Sequence, residues 1–369
     1  MTSSGNKGLL LALIAMAGTL PAFEAQAGAT VNFGPDQSVS LGFGMRTSYS
    51  SVEHGAGDGS RSNDFNLDSA RLYLGGSLNR QIKGMFNTEW DGERIRVLDA
   101  VGEFAFSPEL NVWAGRMLSP SDRANMAGPY YSLGGGYWAG VASRYGYNGG
   151  IFRGRDDGVT VWGNLLDGRL GYSFGAFEGH TFGIGALTQS QANGAGLRAS
   201  DKPMFAGRLQ YDFWDPEPGY YGTGNYLGTK DILAVGLAGR SQKNGVLTPA
   251  ASGDYRSWSL DVLLEKRLPG AGALSLEGAW YDYDTGNVVR AEQGKAWLVG
   301  AAYIVNRFQP FVRYQKFEAD TGIDTRQADA GVNYVIDGYN AQLAALYSRT
   351  KITGADDRST FSVTLQLQY

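Results

Sequence analysis

Between residues 119 and 155 the chain carries four arginines, Arg123, Arg144, Arg153 and Arg155, against a single acid, Asp122. No lysine lies between Lys83 and Lys202, and 23 of the 32 basic residues in the whole chain are arginine. A guanidinium is a permanent cation whose planar fork matches carboxylate and phosphate. A stretch that is net positive, in a chain of formal net charge -4, points to anion coordination rather than to bond-making. Catalysis has little to work with here. Cysteine is absent, and His54 and His180 are the only histidines, neither in metal-ligand spacing. Gly-x-Ser-x-Gly occurs once, as GYSFG (171–175), inside an alternating segment rather than at the strand-to-helix turn that a nucleophile elbow needs, and there is no Walker loop or histidine cluster. An enzyme, a cofactor and a metal site are therefore not expected, although an acid-assisted Asp–Ser arrangement stays open. The slightly acidic balance argues against a nucleic-acid partner.

The arginine-bearing stretch, about 119–156, has no hydropathy alternation, whereas the chain around it alternates almost everywhere. "ARLYLGGSLN" (70–79) sets Leu72, Leu74 and Leu78 opposite Arg71, Tyr73, Ser77 and Asn79. "FAGRLQYDF" (205–213) sets Phe205, Leu209, Tyr211 and Phe213 opposite Arg208, Gln210 and Asp212. The chain ends on "FSVTLQLQY", with Phe361, Val363, Leu365, Leu367 and Tyr369 on one face and small or polar residues on the other. Strict alternation is the mark of a strand with two unlike faces. About sixteen such segments run at 38–50, 64–79, 82–91, 95–106, 110–118, 157–165, 169–178, 203–214, 231–240, 255–267, 273–284, 295–305, 308–318, 326–336, 339–350 and 359–369. Tight connections such as "LLDGR" (165–169) and "IDGYN" (336–340) alternate with longer ones, and one tight position is expanded at 215–230.

At the N-terminus, Lys7, the apolar run 8–20 and "AQA" (25–27) read as a secretory signal. The run is shorter than the ~20 residues of a spanning helix, so cleavage after Ala27 is expected, leaving 28–369 as one domain. No later stretch suits a membrane helix, and no amphipathic helix is available to cover sixteen apolar stripes. Those stripes must then meet lipid, and closure must satisfy the sheet edges. The expected fold is all-β: a 16-stranded antiparallel transmembrane β-barrel with short periplasmic turns and long outer loops, located in a bacterial outer membrane. Sixteen strands leave an aqueous lumen. Trp90, Trp113, Trp162, Trp214, Trp258, Trp280, Trp297 and Tyr369 sit near segment ends, as an interfacial girdle requires.

Segment 119–156 is the third connection on the long-loop side, the longest in the chain and rich in aromatics, so it is expected to fold inward and narrow the pore. Two readings of its arginines follow. With Arg71, Arg116, Arg208 and Arg313 on the polar strand faces, they form a basic path that favours small anions. Alternatively they pair with lumen acids such as Glu89, Asp91, Asp99 and Glu103, leaving a weakly selective pore.

Three stretches resemble the phosphate-selective porin O/P family: "LDSARLYLGGSLNRQIKGMFNTEWD" (67–91), "VLDAVGEFAFSPELNVWAGRMLSPSD" (97–122) and "RDDGVTVWGNLLDGRLGYSFGAFEG" (155–179). The resemblance implies an outer-membrane porin, usually a homotrimer, with an inward-folded third loop and an arginine-lined lumen passing phosphate, other oxyanions or small organic acids. In the family, lysines on that loop help form the anion site; the loop here has no lysine, bears arginines, and is longer and more aromatic. The terminal aromatic also resembles the C-terminal signal read by barrel-assembly machinery, which gives Phe361 and Tyr369 a role in assembly. A general diffusion porin, a plugged structural or adhesive barrel, and an outer-membrane hydrolase are the alternatives.

Overall fold

The computed structural model describes residues 28–90, 92, 94–134, 136, 138, 154–179, 202–247, 252–286, 288 and 293–369. The expected export signal, residues 1–27, lies outside them. Seventeen strands follow one another: β1 (Ala29–Asn32), β2 (Ser38–Val52), β3 (Ser62–Ser77), β4 (Ile82–Trp90), β5 (Ile95–Ser107) and β6 (Leu110–Leu118). After the short helix α1 (Arg123–Ala127) come β7 (Arg155–Leu165), β8 (Leu170–Phe177), β9 (Met204–Asp212), β10 (Ile232–Leu247) and β11 (Ser252–Leu268). The chain finishes with β12 (Gly272–Asp284), β13 (Gly294–Ile304), β14 (Phe308–Ala319), β15 (Thr325–Asp337), β16 (Ala341–Ile352) and β17 (Arg358–Gln368).

From β2 to β17 each strand pairs antiparallel with the next, and β17 returns to β2 from Thr360↔Val52 to Gln368↔Gly44. The sheet is therefore a closed 16-stranded barrel with no open edge, the arrangement a membrane demands of strands. All sixteen expected segments are present, most within a few residues of their expected bounds. The exceptions are β10 and β11. They run past the expected loop at 241–254 as a longer hairpin, with a register shift between Gln242 and Val246.

One strand was not anticipated. β1 pairs with the start of β2, from Ala29↔Leu41 to Asn32↔Ser38, just beyond the point where β17 stops. Tyr369 exchanges both backbone hydrogen bonds with Phe43 at 2.9 Å. A Cβ on Gly28 would lie 2.2 Å from the Tyr369 ring. The seam next to β2 is thus filled first by β17 and then, end to end, by β1.

The two faces separate as the alternation requires. Leu72, Phe205, Leu209, Phe213, Trp258, Leu260, Val299 and Val312 are exposed on the outside. Gln366, Gln368, Asn333, Gln315, Asp261 and Glu265 are buried on the inside. A continuous ring of large apolar side chains is far beyond what a water-facing surface carries, and it is what lipid covers. Trp258 and Trp280 lie 4.4 Å apart on the outer face, and Trp297 and Tyr314 lie 5.0 Å apart. Trp113 and Trp162 depart from the expected girdle. Both turn inward, and Trp113 stacks 4.6 Å from Tyr220, a residue of the β9–β10 connection. They are lumen residues because that connection enters the barrel and gives them an apolar partner there.

Candidate functional site

The third connection at the long-loop mouth folds into the lumen over its described part. Asp122 caps α1, accepting from the Asn125 N–H at 3.0 Å, the ordinary use of aspartate at a helix start. It also accepts from the Tyr281 hydroxyl at 3.1 Å, which ties the cap to the inner face of β12. Beyond the helix, Tyr130 crosses to the opposite wall. Arg71 lies over its ring at 4.6 Å, and its carbonyl accepts from Gln366 of β17. Trp138 packs among Ala124, Tyr281, Leu298 and Phe317, beneath the Arg313 guanidinium. The loop therefore spans the barrel from β9–β13 to β2–β3 and β17.

A second segment enters from the other mouth. The β9–β10 connection, residues 213–231, belongs to the short-turn end, yet it rises into the lumen. Its neck closes between Asp215 and Asp231, whose backbones bond at 3.0 Å. Hydrogen bonds from Lys266 and from Arg267 hold the Asp231 carboxyl well below the usual carboxylate range. Above the neck, Pro216, Pro218, Gly219, Gly222, Gly224 and Gly228 make a chain that cannot continue a strand. Three tyrosines give it apolar weight. Tyr220 joins Trp113, Met117, Met126, Phe177 and Met204. Tyr226 joins Ile232, Ala234 and Leu263.

The two inward segments meet. Gly224 N–H donates to Tyr131 O at 2.7 Å. A Cβ on Gly224 would lie 2.6 Å from the Leu133 nitrogen, so only glycine allows this approach. Glu217 grips Arg123 with both oxygens, at 2.8 Å to Nη1 and 2.6 Å to Nη2. Thr223 O takes a further Nη1 hydrogen bond at 2.8 Å. Burial alone disfavours the Arg123 cation, but Glu217 and Asp261 beside it outweigh that and hold the guanidinium above its usual range.

The sequence-derived arginines separate into groups. Arg71 pairs with Glu89 at 2.7 Å, Arg155 with Asp99 at 2.9 Å and Arg313 with Asp329 at 2.8 Å. Arg208 makes a two-pronged contact with Asp261, which also accepts from the Arg123 N–H. All of these are buried on the lumen side. Arg116 differs from expectation: it pairs across the ladder with Ala100 and Asp157, which lie on the outward face, and its partner is Asp157 at 3.1 Å. The reason is parity. Trp113 and Asn111 take the inward positions of β6, so the polar Arg116 falls outside. Arg144, Arg153 and the acid Asp91 lie outside the described residues.

Several wall arginines also hold the loop backbone. Arg208 donates to Ser121 O at 3.2 Å, Arg240 to Pro120 O at 3.3 Å, and Arg313 to Leu133 O and Gly136 O at 3.1 and 3.2 Å. A loop lying in a lumen has carbonyls with no ladder to join, and these donors satisfy them. Sequence reasoning missed Arg240, Glu217, Asp261 and Gly224. The one available signal was the expanded connection at 215–230, long where its neighbours are tight.

No sequence-family model matches the chain, and no curated protein matches it. Solved structures do resemble it. An anion-selective porin from Comamonas acidovorans aligns at TM-score 0.59 and 14% identity, over 90% of this chain and 100% of that one. OprB of Pseudomonas putida, in its high-pH structure, aligns at 0.61 and 12%, over 90% and 94%. OmpF of Salmonella typhi, in complex with daunomycin, aligns at 0.59 and 13%, over 92% and 100%. The fold is that of the outer-membrane porins. At such identities the likeness concerns architecture alone.

Proposed function

We propose that this chain is exported by a cleaved signal over residues 1–27 and forms a water-filled outer-membrane channel for passive diffusion of small hydrophilic solutes. The observation that carries the reading is the closed 16-strand barrel, apolar outside and polar inside, with a loop folded across its lumen. No reaction is assigned. The short-turn mouth is taken as periplasmic, the long-loop mouth as external, and the assembly as a homotrimer, the last resting on the porin resemblance. Charge selectivity is weak in this reading. Each described site arginine on the lumen wall stands against a carboxylate, and paired charges cancel beyond a few ångströms.

A preference for phosphate, other oxyanions or small organic acids is the second reading. It is favoured by the surplus of arginine over acid in 119–155 and by the anion-selective porin among the structural neighbours. The purified protein in a planar bilayer tests both. Discrete conductance steps are expected, with a reversal potential close to zero in a potassium chloride gradient. A protein that never conducts sinks the channel reading. A reversal potential near the chloride limit replaces weak selectivity with the anion reading, and block of chloride current by inorganic phosphate assigns phosphate to it.

A further inference from the structure

We infer that residues 213–231 are a second constriction element, entering from the short-turn mouth, and that Glu217 is the positioning residue through which it fixes the third loop across the pore. This rests on the channel reading above and adds to it the element that sets the open area.

The segment is built into the lumen rather than draped over its rim. Glu217, Thr223, Asn225 and Tyr226 are all buried. Each inward turn of the segment has a dedicated acceptor or donor. Glu265 on β11 accepts from the Tyr226 N–H at 2.7 Å and from the Gly228 N–H at 2.5 Å. Asn225 accepts from Gln309 of β14, and its carbonyl takes the Tyr339 hydroxyl from the β15–β16 turn. The segment is thus anchored to β11, β14 and the β15–β16 turn before it touches the loop at all.

Its contact with the loop is then a short list of strong interactions. The Glu217–Arg123 fork, Thr223 O and Gly224 N–H bind both arms of the loop, at α1 and at Tyr131. Two-pronged charge-assisted bonds fix orientation as well as distance. Buried ion pairs lose heavily when one partner goes. A polar gap of about 40 Å³ remains beside this junction, bordered by Arg123, Arg208, Gln210, Glu217 and Tyr220. The junction also decides local charge. Arg123 and Arg208 share Asp261, and Glu217 is the second acid in salt-bridge contact with Arg123.

Three proteins in planar bilayers test the inference: the wild type, E217Q, and a chain in which 216–229 is replaced by a tight two-residue turn. Gln keeps the shape and one acceptor while removing the charge. E217Q is expected to close at lower applied voltage and to raise the chloride-over-potassium permeability ratio about twofold, because Arg123 loses the nearer of its two counter-charges. The shortened chain is expected to show about twofold larger unitary conductance, as it would from widening an aqueous lumen. The selectivity change in E217Q separates positioning of a charged loop from mere stability. If the shortened chain does not assemble, E217Q decides alone. An unchanged closing voltage and permeability ratio in E217Q, with a wild type that conducts, overturns this inference and leaves the channel reading standing. A silent wild type overturns both.

Discussion

Asp261 joins two arginines from different parts of the lumen. It accepts two guanidinium contacts from Arg208 and the Arg123 N–H, and it lies 3.8 Å from the Arg123 Nε. Removing one member of a buried ionic cluster leaves the others uncompensated, at a cost of about 3–5 kcal/mol. Asp261→Asn is therefore expected to lower the unfolding midpoint in detergent more than any outward polar substitution, read by loss of strand circular dichroism. A change indistinguishable from that of Arg116→Gln would show that the cluster is not cooperative. Gly224 makes the complementary test of space. Gly224→Val places a branched side chain where a Cβ already meets the Leu133 nitrogen at 2.6 Å. The loop and the segment 213–231 must then part. The expected readout is new protease cleavage within 119–138 or 213–231 while the barrel itself stays resistant. Cleavage patterns matching the wild type would refute the close packing.

At the scale of elements, the strands were legible because lipid and water impose opposite demands on neighbouring residues. That contrast survives without any knowledge of partners, so the alternation of Phe205, Leu209 and Phe213 against Arg208, Gln210 and Asp212 locates β9 directly. Where a third environment intrudes, the code fails. Trp113 and Trp162 look lipid-facing by type but meet the aromatic face of the inserted connection. Arg116 looks lumen-facing by type but follows the parity those residues impose. The inward fold of the loop was legible from its length and aromatics. The partners of its arginines were not, since Glu217 and Asp261 are 94 and 138 residues away from Arg123 and nothing local announces the pairing. The outer face carries its own prediction. Leu237 is half-exposed near the middle of β10, and a charge there must sit in hydrocarbon. Leu237→Arg is expected to cost about 2–4 kcal/mol of folding stability in lipid vesicles, measured by denaturant titration. The lumen-facing Gln210→Arg serves as a comparison, expected to alter conductance more than insertion. Equal effects at the two positions would undo the assignment of faces.

For the whole molecule the decisive quantity is how charge is arranged along the lumen rather than its total. The chain is net negative, its third connection is net positive, and five of the described lumen arginines, Arg71, Arg123, Arg155, Arg208 and Arg313, each face an acid within salt-bridge distance. Such pairs act on a passing ion as dipoles, strong at contact and weak at the width of a pore. The Debye length falls from about 30 Å at 0.01 M salt to about 3 Å at 1 M. Any selectivity that comes from summed, unpaired charge must therefore vanish as salt rises, whereas selectivity from a solute pressed against a guanidinium persists. The paired arrangement predicts a permeability ratio that departs from unity only at low salt and approaches unity at 1 M. Arg144 and Arg153 are the loop arginines whose charge this arrangement leaves to be tested. Replacing both with glutamine should shift the low-salt reversal potential toward cations, while Arg313→Gln should alter conductance through the released loop carbonyls Leu133 O and Gly136 O. A high-salt anion preference that survives Arg144→Gln with Arg153→Gln but disappears in Arg123→Gln would move the selectivity site from Arg144 and Arg153 to the junction with Glu217.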